Sequence, residues 1–218
     1  MHWLARTYSS TIGKKYVMAV TGVILFVFVV LHMLGNLQIF LGRDEINGYA
    51  RLLRVEPVLL WAARLVLLAS VTIHIVAAVQ LTLRNWAARP VGYRRQQYLA
   101  TDYAARTMVW SGPIIAAFVV YHLLDQTLGK LNPDFVRGDV FHNLVAGFSV
   151  PSIAALYVLG QIALGFHLYH GLFSLFQSVG ASRPAYDRWR QPFALAAALV
   201  IVAGNCSIPF AVLAGAVR

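Results

Sequence analysis

Cysteine is nearly absent, with Cys206 the single example. One thiol excludes an internal disulfide, a cysteine-held iron–sulfur cluster and a structural zinc site, and inside an apolar run it reads as a small packing residue. Charge is scarce as well. Of 218 residues, 12% are charged and 59% hydrophobic, far from the mix of an ordinary soluble domain. No glycine-rich nucleotide fingerprint is present. Acidic side chains number 8 against 18 Lys and Arg, yet the basic residues do not cluster as a groove-binding patch does, so nucleic acid is not the implied partner.

What the sequence has instead is long hydrophobic runs. A spanning helix needs about 20 apolar residues, and residues 16–41, 57–83, 104–128, 150–177 and 192–217 all qualify. The expectation is an all-α integral membrane protein, one membrane domain over residues 1–218 with five transmembrane helices and nothing left over for a soluble domain. Arg6, Lys14 and Lys15 ahead of the first run imitate a signal peptide, but the run is too long and lacks a small-residue cleavage site, so it reads as an uncleaved first helix.

Counting the basic residues by loop orients the chain. The N-terminus (Arg6, Lys14, Lys15), the second loop (Arg84, Arg89, Arg94, Arg95, Arg106) and the fourth (Arg183, Arg188, Arg190) hold eleven. The first loop, third loop and C-terminus hold six: Arg43, Arg51, Arg54, Lys130, Arg137 and Arg218. The positive-inside bias then predicts a cytoplasmic N-terminus and an external C-terminus. The basic connection 86–103 reads as a loop facing lipid headgroups, with a docking surface for a soluble partner as the functional alternative.

Four of the five spans carry histidine: His32, His74, His122, and the pair His167 and His170. An ionisable ring in hydrocarbon is costly unless it faces the bundle interior and finds a partner. Depth sorts them. His32 lies seventeen residues past Lys15 and His122 sixteen past Arg106, roughly 25 Å along parallel helices. His74 lies ten residues before Arg84 and His167 ten before Gln177, roughly 15 Å from the cytoplasmic boundary. A spacing also repeats: Thr21-Gly22 precedes His32, and Ser111-Gly112 precedes His122, each small residue pair standing on nearly the same helix face as its histidine. Gly160 stands nearly two turns from His167. Small residues at such places let a thick group approach the backbone.

Two pairs at two heights fit a cofactor held between facing helices. Neutral imidazoles are good iron ligands, and a haem ligated by histidine on both sides favours electron transfer over oxygen binding. The first four helices are thus expected to form a haem-binding bundle, Thr21, Gly22, Ser111 and Gly112 facing the inner haem and Gly160 the outer one. By spacing alone either His167 or His170 can be the ligand. A lone membrane histidine can also serve as a helix–helix hydrogen bond or a proton-relay member. Arg64, ten residues before His74, is expected to be buried toward a haem propionate or a quinone oxygen, with outward snorkelling as the alternative. His142 reads as interfacial and His2 as surface. In the third loop, Asn132-Pro133-Asp134 reads as a turn and the short apolar run 140–144 as an interfacial piece. Pro209 is expected to kink the last span.

Ser10-Thr11-Ile12-Gly13-Lys14-Lys15, Thr21-Gly22, Leu31-His32-Met33-Leu34-Gly35-Asn36-Leu37, Ile46-Asn47-Gly48-Tyr49-Ala50 and Phe166-His167-Leu168-Tyr169-His170-Gly171-Leu172-Phe173-Ser174 together resemble the single-subunit, five-helix, dihaem cytochrome b membrane anchor of bacterial succinate dehydrogenase or fumarate reductase. The likeness runs from about Ser10 to Gly180. It implies two haem b groups, with ligands paired between the first and third helices and between the second and fourth, and it selects His167 over His170. It also implies a flavoprotein subunit and an iron–sulfur subunit on the cytoplasmic face, menaquinone or another quinone in the bilayer as substrate, and the bacterial cytoplasmic membrane as location. Glu56 lies near the region where some relatives carry a quinone-active glutamate, without matching its spacing to the next histidine. Two other readings are the cytochrome subunit of a formate dehydrogenase or hydrogenase, and a haem-free proton-coupled transporter. The latter calls for mid-membrane acids, and only Asp125, near one end of the third span, comes close.

Overall fold

The computed structural model describes residues 8–88, 103–181 and 184–218. His2, Arg6, Arg89, Arg94, Arg95 and Arg183, with most of the basic connection, lie outside the described residues. Among those described, every regular element is helical: α1 Thr11–Asn36, α2 Arg43–Leu52, α3 Pro57–Ala87, α4 Tyr103–His122, α5 Val140–Phe148, α6 Pro151–Ser178 and α7 Pro184–Leu213. A 3₁₀ turn, Leu37–Leu41, extends α1, and a π-helical segment, Leu123–Thr127, extends α4. Five stretches are long and apolar enough to cross a bilayer, Thr11–Leu41, Pro57–Ala87, Arg106–Thr127, Pro151–Ser178 and Arg188–Leu213, so the chain is a multi-pass membrane protein.

Helix boundaries depart from the apolar runs where capping chemistry differs from hydropathy. α1 starts before Lys14 and Lys15 rather than after them, because Ser10 Oγ accepts the Gly13 N–H at 2.9 Å and meets one of the orphan donors of the first turn. α7 starts at Pro184, which leaves Pro192 inside the helix and not at its head. Pro57 and Pro151 do stand in the first turns of α3 and α6, where a missing N–H costs no hydrogen bond.

α1 and α3 run antiparallel in long contact, as do α4 and α6. Thr21 meets His74 and Ser9 meets Arg84 across the first pair, while Asp125 meets Tyr157 and Phe118 meets Gly160 across the second. α1 also touches α6, and α7 packs on both, most extensively on α6. One apolar cluster (Met33, Leu168, Ala198, Ile201) joins α1, α6 and α7. At the end away from the N-terminus, Ile39, Ile46, Leu144, Phe148, Tyr157 and Ile208 form a second.

That end is closed by the two short helices, neither of which the hydropathy pattern predicts as a helix. Gly42, at φ 119°, turns the chain sharply from α1 into α2, a conformation that glycine alone adopts at low cost. The ring of Tyr49 then lies where a side chain on Gly35 would stand, so α2 folds back on the end of α1. Asp139 caps α5 and ties it to α2: it accepts the His142 N–H at 3.1 Å and Asn47 Nδ2 at 2.9 Å, and pairs with Arg43. Asn47 Oδ1 in turn accepts the Phe141 N–H at 3.1 Å.

Partial burial pushes the Asp139 carboxyl up, but the hydrogen bonds from Asn47, the His142 N–H and Arg43, with the Arg43 charge, outweigh it and bring its pKa down to about 2. A carboxyl lowered in the folded state stabilises fully above its ordinary value of 3.8, and that contribution fades as pH falls toward 2. Asp139→Ala is therefore expected to cost about 1 kcal/mol through the lost cap. Thermal unfolding in detergent should show the variant's deficit at pH 6 shrinking between pH 4 and 2.

Candidate functional site

Each of the two antiparallel helix pairs carries its histidines facing the other pair. His32, near the end of α1, meets His122 at the end of α4 with ring centres 5.7 Å apart and planes nearly perpendicular, at 84°. His74 on α3 meets His167 on α6 with centres 6.2 Å apart and planes at 59°. The helices that carry partnered rings are not the helices that pack. Among the described residues, neither α1 and α4 nor α3 and α6 lie along one another. Each pair of imidazoles therefore meets between helices whose backbones stay apart, and His32 stays exposed although its ring is stacked on Phe28 and set against His122.

That spacing has a chemical meaning. A metal–imidazole bond is about 2.1 Å and the ring centre lies about 1.1 Å beyond the nitrogen, so two imidazoles on opposite sides of one metal put their centres roughly 6.4 Å apart, and the two pairs here lie just inside that separation. Nδ1 of His122 and Nδ1 of His167 are buried with no hydrogen-bond partner, and a buried polar atom left unpaired costs about 1–3 kcal/mol unless something else satisfies it. Among the described residues, no group of three or more His, Cys, Asp or Glu side chains could hold a bare metal ion. Each pair offers two ligands only, so a metal held there must bring its remaining ligands with it. A haem does so, its four equatorial nitrogens leaving two axial positions. The residues present fit the group.

The surrounding residues divide between the pairs. Thr21 Oγ1 lies 3.0 Å from His74 Nδ1, and a side chain on Gly22 would stand 3.5 Å from His74 Cε1, so the Thr21-Gly22 step faces the second pair. A side chain on Gly112 would meet nothing within 4 Å. Gly160 differs from expectation: the face freed by its missing side chain is occupied by the Phe118 ring, which stacks in turn near His122 at 6.1 Å. The reason is that Phe118 stands one turn before His122 on the helix opposite, a relation fixed by packing and not by spacing within α6.

Arg64 is not buried as expected, and takes the snorkelling alternative. It is exposed, with its guanidinium 5.0 Å from the Trp61 ring one turn earlier on the same helix, and it reaches neither histidine pair. A cation over an indole face gains attraction without leaving the surface. His170 is half-buried one turn beyond His167, and it is His167 whose ring meets His74. His142 Nε2 donates to the Asp134 carbonyl at 2.9 Å, holding the loop before α5. Glu56 is exposed at the head of α3.

Asp125, noted in the sequence only as an acid near one end of the third span, belongs to a polar group beside the first pair. Asp125 is fully buried in the π segment, its Oδ2 accepting from Tyr157 at 2.7 Å and from Gln126 at 2.8 Å. Tyr157 also packs against His122 with ring centres 5.8 Å apart. Asp125 Oδ1 has no hydrogen-bond partner. The sequence signal was an acid inside an apolar span, which is a functional-site candidate by default, and π segments recur at such places.

Models of known families, curated proteins and solved structures give no match to this chain.

Two substitutions separate the roles of the small residues. In Gly160→Ala the new methyl stands 2.6 Å from the Phe118 ring, which must shift, so a loss of about 1–3 kcal/mol is expected from overpacking. Gly112→Ala meets open space and should stay within about 0.5 kcal/mol of the parent. Thermal midpoints in the same detergent compare them. Tyr157→Phe, which strips a donor from a buried carboxylate, should cost about 1–3 kcal/mol by the same measurement.

Proposed function

We propose that this chain is the membrane anchor and electron-transfer subunit of a succinate:quinone oxidoreductase, holding two b haems between a cytoplasmic flavoprotein and iron–sulfur pair and a membrane quinone. One observation carries the reading. Four intramembrane histidines meet as two pairs, at a separation that suits two ligands of one iron, between helices that do not pack together. The motif resemblance to dihaem cytochrome b anchors supports the same pairing.

Bound haem supplies a one-electron relay. His74 and His167 would hold it at the height nearer the N-terminal end, and His32 and His122 would hold a second nearer the opposite end. With two histidines for each, the group would serve electron transfer in preference to oxygen binding. A cytoplasmic N-terminus, from the distribution of Lys and Arg, puts the His74 and His167 pair on the side where the soluble partners dock. Those partners carry the flavin and the clusters, because one cysteine and no nucleotide fingerprint leave this chain unable to do so. The dicarboxylate reacts on the partner, and the quinone reacts at this subunit in the bacterial cytoplasmic membrane.

The test is a reduced-minus-oxidised optical spectrum of the purified chain with a haem-to-protein ratio, expected at two. His32→Ala and His122→Ala should each remove the same haem and spare the other. His74→Ala and His167→Ala should remove the one spared. Loss of different haems from His32→Ala and His122→Ala refutes the pairing, and a colourless protein from porphyrin-replete cells refutes the function. Co-purification of a subunit with covalent flavin separates this assembly from a formate dehydrogenase or hydrogenase.

A further inference from the structure

The repeated small-residue step, Thr21-Gly22 and Ser111-Gly112, does different work in the two halves of the bundle. Thr21 is buried on α1, and its hydroxyl sits among three acceptor or ring atoms: Val17 O at 2.8 Å, Met18 O at 3.2 Å and His74 Nδ1 at 3.0 Å. A hydroxyl has one proton and two lone pairs. The shortest contact is the back-bond to Val17, a carbonyl that can only accept, so the proton goes there. What Thr21 turns toward His74 is then a lone pair, and Nδ1 must carry the hydrogen. Gly22 lets the ring lie close against this step, 3.5 Å from where a side chain would begin.

Ser111 stands at the matching place on α4, buried, but the contact its hydroxyl makes is a weak one to Met108 Sδ at 3.9 Å. Nδ1 of His167 on α6 has no hydrogen-bond partner. One imidazole of the pair is thus held in a single tautomer and the other is not.

We infer that Thr21 is a positioning residue for the His74–His167 centre: it fixes His74 as the Nδ1–H tautomer and so commits Nε2 to the ligand between the helices. The inference rests on the haem reading and goes beyond it, because it assigns the electronic tuning of one of the two centres to a particular hydroxyl. An imidazole whose Nδ1–H donates a hydrogen bond is a more basic ligand, and a more basic axial ligand favours the oxidised iron, which lowers the reduction potential of that centre.

The experiment is a potentiometric optical titration of the full chain as purified, comparing the parent with Thr21→Val, which keeps the shape and removes the acceptor, and Thr21→Ser, which restores it. In Thr21→Val one of the two midpoint potentials should move upward, namely that of the haem lost in His74→Ala, with the other unchanged; Thr21→Ser should lie close to the parent. Should Thr21→Val fail to retain that haem, retention by Thr21→Ser supports the assignment equally, and loss from both overturns it. Two haems with both potentials unmoved in Thr21→Val, or an equal shift in Thr21→Ser, overturn it and leave the haem reading standing. A parent protein without haem overturns the haem reading, and the Thr21 assignment with it.

Discussion

Hydrocarbon gives an imidazole nothing to bind, and that constraint organises this molecule. Apolar side chains can face lipid in any rotation of their helix, but a polar ring must be turned inward to a partner. Here the partners are other imidazoles: His32 with His122 and His74 with His167. Each contact joins helices whose backbones stay apart, so the rings define two separations that the packed pairs, α1 with α3 and α4 with α6, must accommodate. Four of the five long helices turn a histidine toward one of these two contacts.

The polar groups near the rings are satisfied to different degrees, and the pattern is uneven by half. His74 has Thr21 behind it, whereas Nδ1 of His167 and Nδ1 of His122 have no partner. At the end away from the N-terminus, Asp125, Tyr157 and Gln126 form a compact polar group against His122. A buried carboxylate is tolerated only where donors converge on it. The π segment supplies that convergence by shifting the register of the last turn of the span, placing Asp125 toward α6 and not toward lipid.

The five spans and the sorting of histidines by height were legible in the sequence, because both depend only on residue counts along helices of known rise. Rotation about each helix axis was not legible, since neighbouring helices set it. Arg64 lies ten residues from His74 and was expected inside, yet it sits exposed over Trp61, a choice set by which face of α3 packs on α1. Gly160 was expected to face a cofactor and instead receives Phe118, a residue more than forty positions away in the chain. α2 was not legible as a helix, and α5 only as the short apolar run 140–144, for another reason. Both are too short and too mixed in character to register as spans, and they are held by long-range partners, Tyr49 against Gly35 and Asp139 with Asn47, that no local pattern announces. The motifs containing Gly35 and Tyr49 were both visible, but their contact was not.

α7, which carries no histidine, has its place in the same scheme. Four helices of which only neighbours pack cannot rely on tight mutual packing to hold all their distances, and between helices in lipid the hydrophobic effect adds little. α3 rests on α1, and α4 rests on α6, so the spacing of the two halves depends on how α1 and α6 are joined. α7 lies against both. Gly204 admits Met33 of α1, Gly165 admits Val202 from α7 onto α6, and Asn205 Nδ2 donates to Gln161 Oε1 at 2.9 Å. Small residues for close approach and one amide hydrogen bond in mid-span are the devices that hold helices together in a membrane. The fifth helix thus ties the halves together along α1 and α6, which leaves the separations across α1 to α4 and across α3 to α6 to be set by the ring pairs.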